Sequence, residues 1–216
     1  MQALPVPSRA PVAFAIALNL IPVVGVAFWG WSAFALILLY WLENVIIGAR
    51  TVASMAATGL SGGAVSLALA LAIGGFFTLH YGLFCLVHGT FVLALFGGDE
   101  GGDGLFDIAG AVGAQMAREP NLWLGVASIA AWQAVQFVRF IARGEARTTT
   151  PIALMAAPYP RIIVLHITII FGGFLLMLLN QPVAGLVVLA LVKMGFDVAE
   201  AMGKGPRLGA SPLKSD

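Results

Sequence analysis

The chain has 216 residues, of which 60% are hydrophobic and 10% charged, and its net charge is +1. A soluble domain carries about 25% charged residues, so this composition excludes an ordinary water-soluble protein. The near-neutral charge excludes nucleic acid as a partner because no basic run is interleaved with aromatic residues. The single cysteine, Cys85, excludes a disulfide framework.

Apolar runs separated by short polar segments follow one another along the chain. Each approaches the ~20 residues that a helix needs to cross a ~30 Å hydrocarbon layer, where backbone polar groups must be satisfied within the helix. The predicted fold is therefore all-α, a polytopic transmembrane helix bundle forming one domain over residues 1–202, with a disordered cytoplasmic tail over 203–216. Six spans are predicted at 11–29, 32–50, 70–96, 121–142, 161–179 and 182–202.

Two connections between the predicted spans have distinctive compositions. The stretch 58–64 is rich in small residues and precedes the third apolar run, which begins near Ser66. The segment 97–120 is acidic, yet Leu105, Ile108, Val112 and Met116 recur at helical spacing. A short helix at the membrane surface and an irregular acidic loop are both open for it.

The basic residues define an orientation. With six spans, Arg118 is the only basic residue on one set of connections, and the rest outside the spans fall on the other set. Positive residues favour the cytoplasm, so both termini are expected there, in a multi-pass protein of the bacterial inner membrane with membrane lipids as its surroundings. The residues on the predicted cytoplasmic side are Arg9, Arg50, Arg139, Arg143, Arg147, Arg161, Lys204, Arg207 and Lys214.

Ionisable residues inside the spans are the candidates for function, because a charge at the bilayer centre costs ~3 kcal/mol or more unless it has a partner. In the second span, Tyr40, Glu43 and Asn44 share one helix face. The other spans contribute His80, Tyr81, Cys85, His88, His166, Thr168, Lys193 and Asp197.

Depths counted from the predicted cytoplasmic ends bring four of these residues to one layer. Glu43, His80, His166 and Asp197 are expected together in the cytoplasmic half, as ligands of a divalent metal, zinc or iron, or as acid and base groups. His88 lies eight residues, or ~12 Å, beyond His80. It is either a further member of this site or a packing or proton-path residue nearer the outer side.

The remaining candidates position a substrate or stabilise the bundle. Lys193 and Asp197 are four residues apart, which permits either a structural ion pair or a catalytic role. Tyr159 and Arg161 either cap the inner mouth of the site or mark the membrane interface. Asn44 and Tyr81 are candidates for substrate contacts, and an interhelical hydrogen bond is the alternative for Asn44.

Several phrases resemble an uncharacterised family of bacterial membrane proteins, a family of unknown function. They are Tyr40-Trp-Leu-Glu-Asn44, the run from Phe76 to Gly89, the run from Ala157 to His166, and Lys193 with Asp197. The resemblance covers most of the chain and implies no activity or cofactor. It implies a histidine near the end of the sixth span, where this chain has Glu200 and Ala201.

Three functions remain open at this stage. The first is a metal-dependent membrane enzyme performing hydrolysis or redox chemistry on a lipid-like substrate, with Lys193 and Arg161 holding an anionic group. The second is a haem-binding electron-transfer protein with His80 and His166 as axial ligands. The third is a proton-coupled small transporter that uses Glu43, His80 and Asp197. A structural or partner-binding subunit remains as a further alternative, whereas an intramembrane serine protease and a P-loop protein lack their motifs.

Overall fold

A computed structural model describes residues 21, 24, 25, 28–97, 107–119, 121–160, 162, 163 and 166. Most of the first predicted span, the last two spans apart from 162, 163 and 166, and the predicted tail lie outside the described residues. No strand occurs in the part that is described. The helices are α1 (Ala33–Ser61), α2 (Gly63–Val92), α3 (Ile108–Arg118), α4 (Leu122–Ala142) and α5 (Pro151–Ala156). A π-helical turn (Leu93–Gly97) follows α2, and a 3-10 turn (Glu145–Arg147) precedes α5.

Three of these helices are long and apolar enough to cross a membrane. They comprise Phe34–Ser61, Gly63–Val92 and Leu122–Ala142, with 28, 30 and 21 residues. The described part of the chain is therefore all-helical and contains three candidate membrane-spanning helices. They overlap the second, third and fourth predicted spans, and α4 agrees with its predicted bounds to within one residue.

The hairpin between α1 and α2 is much tighter than the sequence suggests. The small-residue stretch does not form a loop, because α1 continues to Ser61 and α2 begins at Gly63. Gly63 has a φ of +82°, a conformation that favours glycine. At Gly59, a Cβ atom would lie 2.6 Å from that of Ala70, so glycine is needed for the two helices to approach. Small residues here permit close helix packing, and each helix becomes longer than its predicted span.

The helix α1 is the central element of the described bundle. Within the most apolar stretch of each candidate span, 67% of the residues are buried in α1, 28% in α2 and 17% in α4. The helix α1 packs against both α2 and α4, and the 3-10 turn and α5 also contact it. The outward faces of α2 and α4 carry exposed apolar side chains such as Leu79, Leu83 and Val138. This distribution suits a helix surrounded by protein and two helices facing lipid.

The acidic segment between α2 and α4 contains the short helix α3, so the helical alternative is the one observed. Its inward face differs from the predicted one, because Ile108, Ala111 and Gln115 are buried whereas Met116 is 38% exposed. Asp107 caps the helix by accepting a hydrogen bond from the backbone N–H of Gly110. Ile108 and Ala111 pack in one cluster with residues of α1 and α2, so α3 lies against the bundle.

A polar cluster joins α3 to the beginning of α1. The side chain of Gln115 donates to Oε1 of Glu119 at 3.0 Å and to the hydroxyl of Ser32 at 3.2 Å. Oε1 of Glu119 also accepts the backbone N–H of Ser32 at 3.0 Å, and the Ser32 hydroxyl accepts the N–H of Ala35 at 3.1 Å. A carboxylate at a helix N-terminus satisfies free N–H groups and complements the helix dipole. This Ser32–Gln115–Glu119 cluster therefore caps α1.

Candidate functional site

Aromatic and imidazole side chains alternate every four residues along α2. The series is Phe76, His80, Phe84 and His88, and a spacing of four keeps neighbouring members on adjacent turns of one helix face. The ring centroids of Phe76 and His80 are 5.5 Å apart and nearly parallel, and those of Phe84 and His88 are 4.8 Å apart. Each histidine of α2 is therefore packed against the phenylalanine one turn before it.

The segment after α5 faces this series, and its described residues 159, 160, 162, 163 and 166 are helical. The ring of His80 lies 6.4 Å from that of Tyr159, and the ring of His88 lies 4.4 Å from that of His166. The contacts advance by eight residues on α2 and by seven on the facing segment. The two helices therefore run in the same direction.

The His88–His166 dyad is the central feature of the site. Nε2 of His88 and Nδ1 of His166 are 2.9 Å apart, a hydrogen-bond distance between two imidazoles. His88 is buried, with 7% exposure, whereas His166 is exposed. Phe84 contacts both rings, with its centroid 6.1 Å from that of His166. The dyad therefore has a buried member held by packing and an accessible member.

This pairing differs from the one expected from depth. His166 contacts His88, and His80 lies towards Tyr159, where it is exposed. The expectation placed His80 in the inner or central part of its span, whereas the structure sets it level with Tyr159, two residues before the predicted start of the fifth span. The four-residue spacing from Phe76 to His88 was the available signal. It indicates that both histidines of α2 share one aromatic helix face, but it does not set the axial offset that pairs His88 with His166.

The predicted substrate-contact residues Asn44 and Tyr81 lie between α1 and α2. The hydroxyl of Tyr81 donates to the backbone oxygen of Asn44 at 3.0 Å, and the Asn44 amide donates to the backbone oxygen of Tyr40 at 3.1 Å. Close by, the indole N–H of Trp41 donates to the backbone oxygen of Cys85 at 2.8 Å. The Tyr81 and Trp41 bonds join the two helices of the hairpin, whereas the Asn44 amide bonds within α1. The substrate contacts of Asn44 and Tyr81 stay predictions.

Gly48 and Gly89 allow this close approach of the hairpin. A Cβ atom on Gly48 would lie 2.7 Å from the Tyr81 ring, and one on Gly89 would lie 2.7 Å from Ile108 and 3.0 Å from the Trp41 ring. Glu43 is buried on the same helix as Asn44. The position of the hairpin helices next to the dyad therefore depends on tight packing at these glycines.

The predicted metal ligands are only partly covered. Among the described residues, no group of three or more His, Cys, Asp and Glu side chains is placed to hold a metal ion. Asp197, Lys193 and Arg161 lie outside the described residues. The four-ligand set of Glu43, His80, His166 and Asp197 stays a prediction.

In the residues that the structure describes, the chain is all-helical, with three candidate membrane-spanning helices and a pair of histidines in contact. The model of a family of unknown function, DUF6498, matches residues 1–208, so the chain belongs to that family. The resemblance to an uncharacterised family is thereby confirmed. No curated protein and no solved structure matches the chain.

Proposed function

We propose that this chain is a six-span protein of the bacterial inner membrane with both termini in the cytoplasm. Three candidate spans support this proposal, and so does the parallel course of α2 and the segment containing His166. In the six-span arrangement these two segments are the third and fifth spans, and one span must lie between two that run in the same direction. The helix α4 occupies that place in the chain.

Within this protein the dyad acts as the acid–base centre of an enzyme for a lipid-like substrate. The observation that carries the proposal is the 2.9 Å contact between a buried and an exposed imidazole. General acid–base catalysis by histidine requires a ring whose orientation and tautomer are fixed by a second group. His88 is that second group, and His166 is the ring that meets the substrate.

The proton inventory of the dyad explains how it works. When Nδ1–H of His166 donates to Nε2 of His88, the other nitrogen of His166 has a free lone pair and acts as a base. After that nitrogen takes a proton from the substrate, His88 still accepts the hydrogen bond and stabilises the resulting imidazolium. The returning proton passes from the same nitrogen to the leaving group. His88 is thus a positioning residue and His166 the catalytic one.

The class of substrate follows from the surroundings of the dyad. His80 and His166 are exposed on a helix pair whose neighbouring side chains, Leu79 and Leu83, are exposed and apolar. A ligand that reaches these rings arrives through the hydrocarbon layer, so it must itself be apolar over much of its length. The exposed imidazoles supply the hydrogen bonds for its polar group.

A divalent metal is the second candidate, and the donor chemistry of the dyad fits it. Two imidazole nitrogens bound to one tetrahedral zinc at ~2.1 Å lie ~3.4 Å apart, so the observed pair needs to separate only slightly to hold an ion. His88 and His166 supply two ligands, and Glu43 and Asp197 are the predicted carboxylates. Such a metal would supply an activated water for hydrolysis.

The proposal is tested on the lipids of cells that produce the protein. Lipid extracts from cells with the wild-type chain, His88→Gln, His166→Gln or an empty vector are compared by mass spectrometry. A lipid species that changes with wild type only, and not with either variant, supports the enzyme. Thr78→Ala is the matched control on α2, since among the described residues the Thr78 hydroxyl bonds only to the backbone oxygen of Gly74 in its own helix. Identical extracts for wild type and both variants would overturn the proposal.

The metal and haem alternatives are separated on the purified full-length chain. Near-stoichiometric zinc or iron that is lost in His166→Gln and His80→Gln would favour the predicted four-ligand site over the dyad alone. A Soret band lost with the same variants would favour haem. Unchanged, metal-free protein in all samples favours the acid–base dyad.

A further inference from the structure

Three arginines lie at the end of α4 and in the turn that follows it. Arg139 is in its last turn, Arg143 ends it, and Arg147 closes the 3-10 turn that follows. The 21 residues of α4 span ~31 Å, close to the ~30 Å thickness of a hydrocarbon layer. The helix therefore ends where lipid headgroups begin, and it places three guanidinium groups there.

Among the described residues, a single exposed ion pair is the only polar side-chain contact of these three guanidinium groups, so they can meet an external anion. The backbone N–H groups of Arg143 and Gly144 donate to the oxygens of Arg139 and Ile141, both at 3.0 Å, so the helix end is capped without side chains. Arg143 contacts Glu145 at 3.7 Å, with 59% and 46% of the two side chains exposed. A long, exposed ion pair of this kind contributes little. Segment 139–147 carries three arginines and one glutamate, which leaves two net positive charges.

The turn that presents the arginines is fixed to the bundle. Gly144 has a φ of +71°, which reverses the chain after α4. Ala146, in the middle of the 3-10 turn, is buried with 6% exposure, and this turn packs against α1. Arg143 and Arg147 therefore project from a rigid turn rather than from a flexible tail, which lowers the entropic cost of binding.

An apolar strip leads from the arginines along α4. Val138 is 62% exposed and Ile141 44% exposed, and Val135 continues the strip one turn earlier. A free phosphate ion would use only the arginines, whereas a phospholipid would also cover these aliphatic side chains. Arginine is suited to the first part because its planar fork binds phosphate in a bidentate manner.

We infer that Arg139, Arg143 and Arg147 form a binding site for the phosphate headgroup of an anionic phospholipid, with its acyl chain along Val138 and Ile141. The site recognises net negative charge, so it prefers phosphatidylglycerol to phosphatidylcholine. Each arginine near an anionic surface contributes about fivefold in affinity, and three together contribute on the order of 100-fold. This inference does not depend on the proposed enzyme activity.

The test is native mass spectrometry of the full-length chain in detergent, titrated with phosphatidylglycerol or phosphatidylcholine. The variant Arg139→Gln/Arg143→Gln/Arg147→Gln is expected to lose the preference for phosphatidylglycerol, and Arg143→Gln alone to lose about fivefold in affinity. Arg118→Gln is the matched control, because Arg118 is an exposed arginine in the last turn of another helix, α3. It should bind as the wild type does.

Three results would overturn the inference. They are equal binding of the two lipids by the wild type, an unchanged preference in the triple variant, and a loss in Arg118→Gln equal to that in Arg143→Gln. Displacement of the lipid by equimolar inorganic phosphate would also contradict it, because the acyl-chain contacts would then add nothing. If the triple variant unfolds, the single variant and its Arg118 control decide the matter.

Discussion

Two polar clusters in this protein are built in the same way but differ in one respect. The Ser32–Gln115–Glu119 cluster and the His88–His166 dyad each join residues about 80 positions apart, as the separations of 83 and 78 show. In the first, donors converge on Glu119 and the Ser32 hydroxyl, and the result is the cap of α1. In the second, one ring is buried and the other is exposed.

The hydrogen-bond partners of a polar residue in an apolar helix bundle indicate whether its role is structural or functional. The hydrogen bonds of the first cluster join the protein's own backbone and side chains and stabilise the fold, and Gln115 Oε1 is its one buried atom without a hydrogen-bond partner among the described residues. The dyad keeps a ring nitrogen of His166 outside the contact between the two histidines, and a substrate needs such a group. Burial and charge alone do not separate these cases, because both clusters contain a nearly fully buried polar side chain, Gln115 or His88.

The largest expected effect concerns the His88–His166 dyad. His88→Gln and His166→Gln should each lower the rate of the lipid conversion by ~10²–10⁴, the usual contribution of general acid–base catalysis. The double variant should be no slower than the slower single variant, since the two rings act as one unit. The measurement is the rate of product formation from isotope-labelled lipid. Glu119→Gln, in the Ser32–Gln115–Glu119 cluster, is the control and should retain the wild-type rate.

An intermediate effect is expected at Gly89, which follows His88 in the chain and lies against Ile108 of α3. Gly89→Ala places a Cβ atom 2.7 Å from Ile108 and 3.0 Å from the Trp41 ring. Overpacking of this kind lowers the free energy of unfolding by ~1–3 kcal/mol. Thermal unfolding in detergent measures it.

Gly82→Ala is the matched variant on the same helix, because no atom of the described residues lies within 4 Å of its added Cβ atom. It should leave the midpoint unchanged or raise it slightly, since alanine favours helix over glycine. An equal loss of stability at both glycines would show that α1, α2 and α3 do not pack as described.

The smallest expected effect concerns the Ser32–Gln115–Glu119 cluster. Ser32→Ala removes the hydroxyl that accepts the N–H of Ala35, and the loss of an N-cap costs about 1 kcal/mol. Thermal unfolding in the same detergent should show a lower midpoint with an unchanged rate of lipid conversion.

The control for this substitution is Ser61→Ala, whose exposed hydroxyl bonds, within the part of the chain that is described, only to the oxygen of Ala57 one turn earlier. Its midpoint should stay within error of the wild type. A loss of lipid conversion in Ser32→Ala without a change in the midpoint would contradict the division between a structural and a functional cluster.

The amino-acid sequence alone predicted an all-α bundle of membrane-length helices and most of the described helix positions. Apolar runs of membrane length with few charges dictate helices, because lipid offers the backbone no other partner. This argument placed α4 within one residue and identified His80, His88 and His166 as the imidazoles to examine. It also left a helix open as one of two alternatives for the segment that forms α3.

The contacts between these helices follow from tertiary packing and could not be predicted from the sequence. Composition does not specify how far a helix continues into a glycine-rich stretch, and Gly59 and Gly63 allow a hairpin that extends both α1 and α2 beyond the predicted spans. Because depth was counted from the predicted span ends, His166 was assigned to the layer of His80. Contacts between helices depend on their axial offset and rotation, which packing sets. Those contacts pair His88 with His166 and close Glu119 onto Ser32.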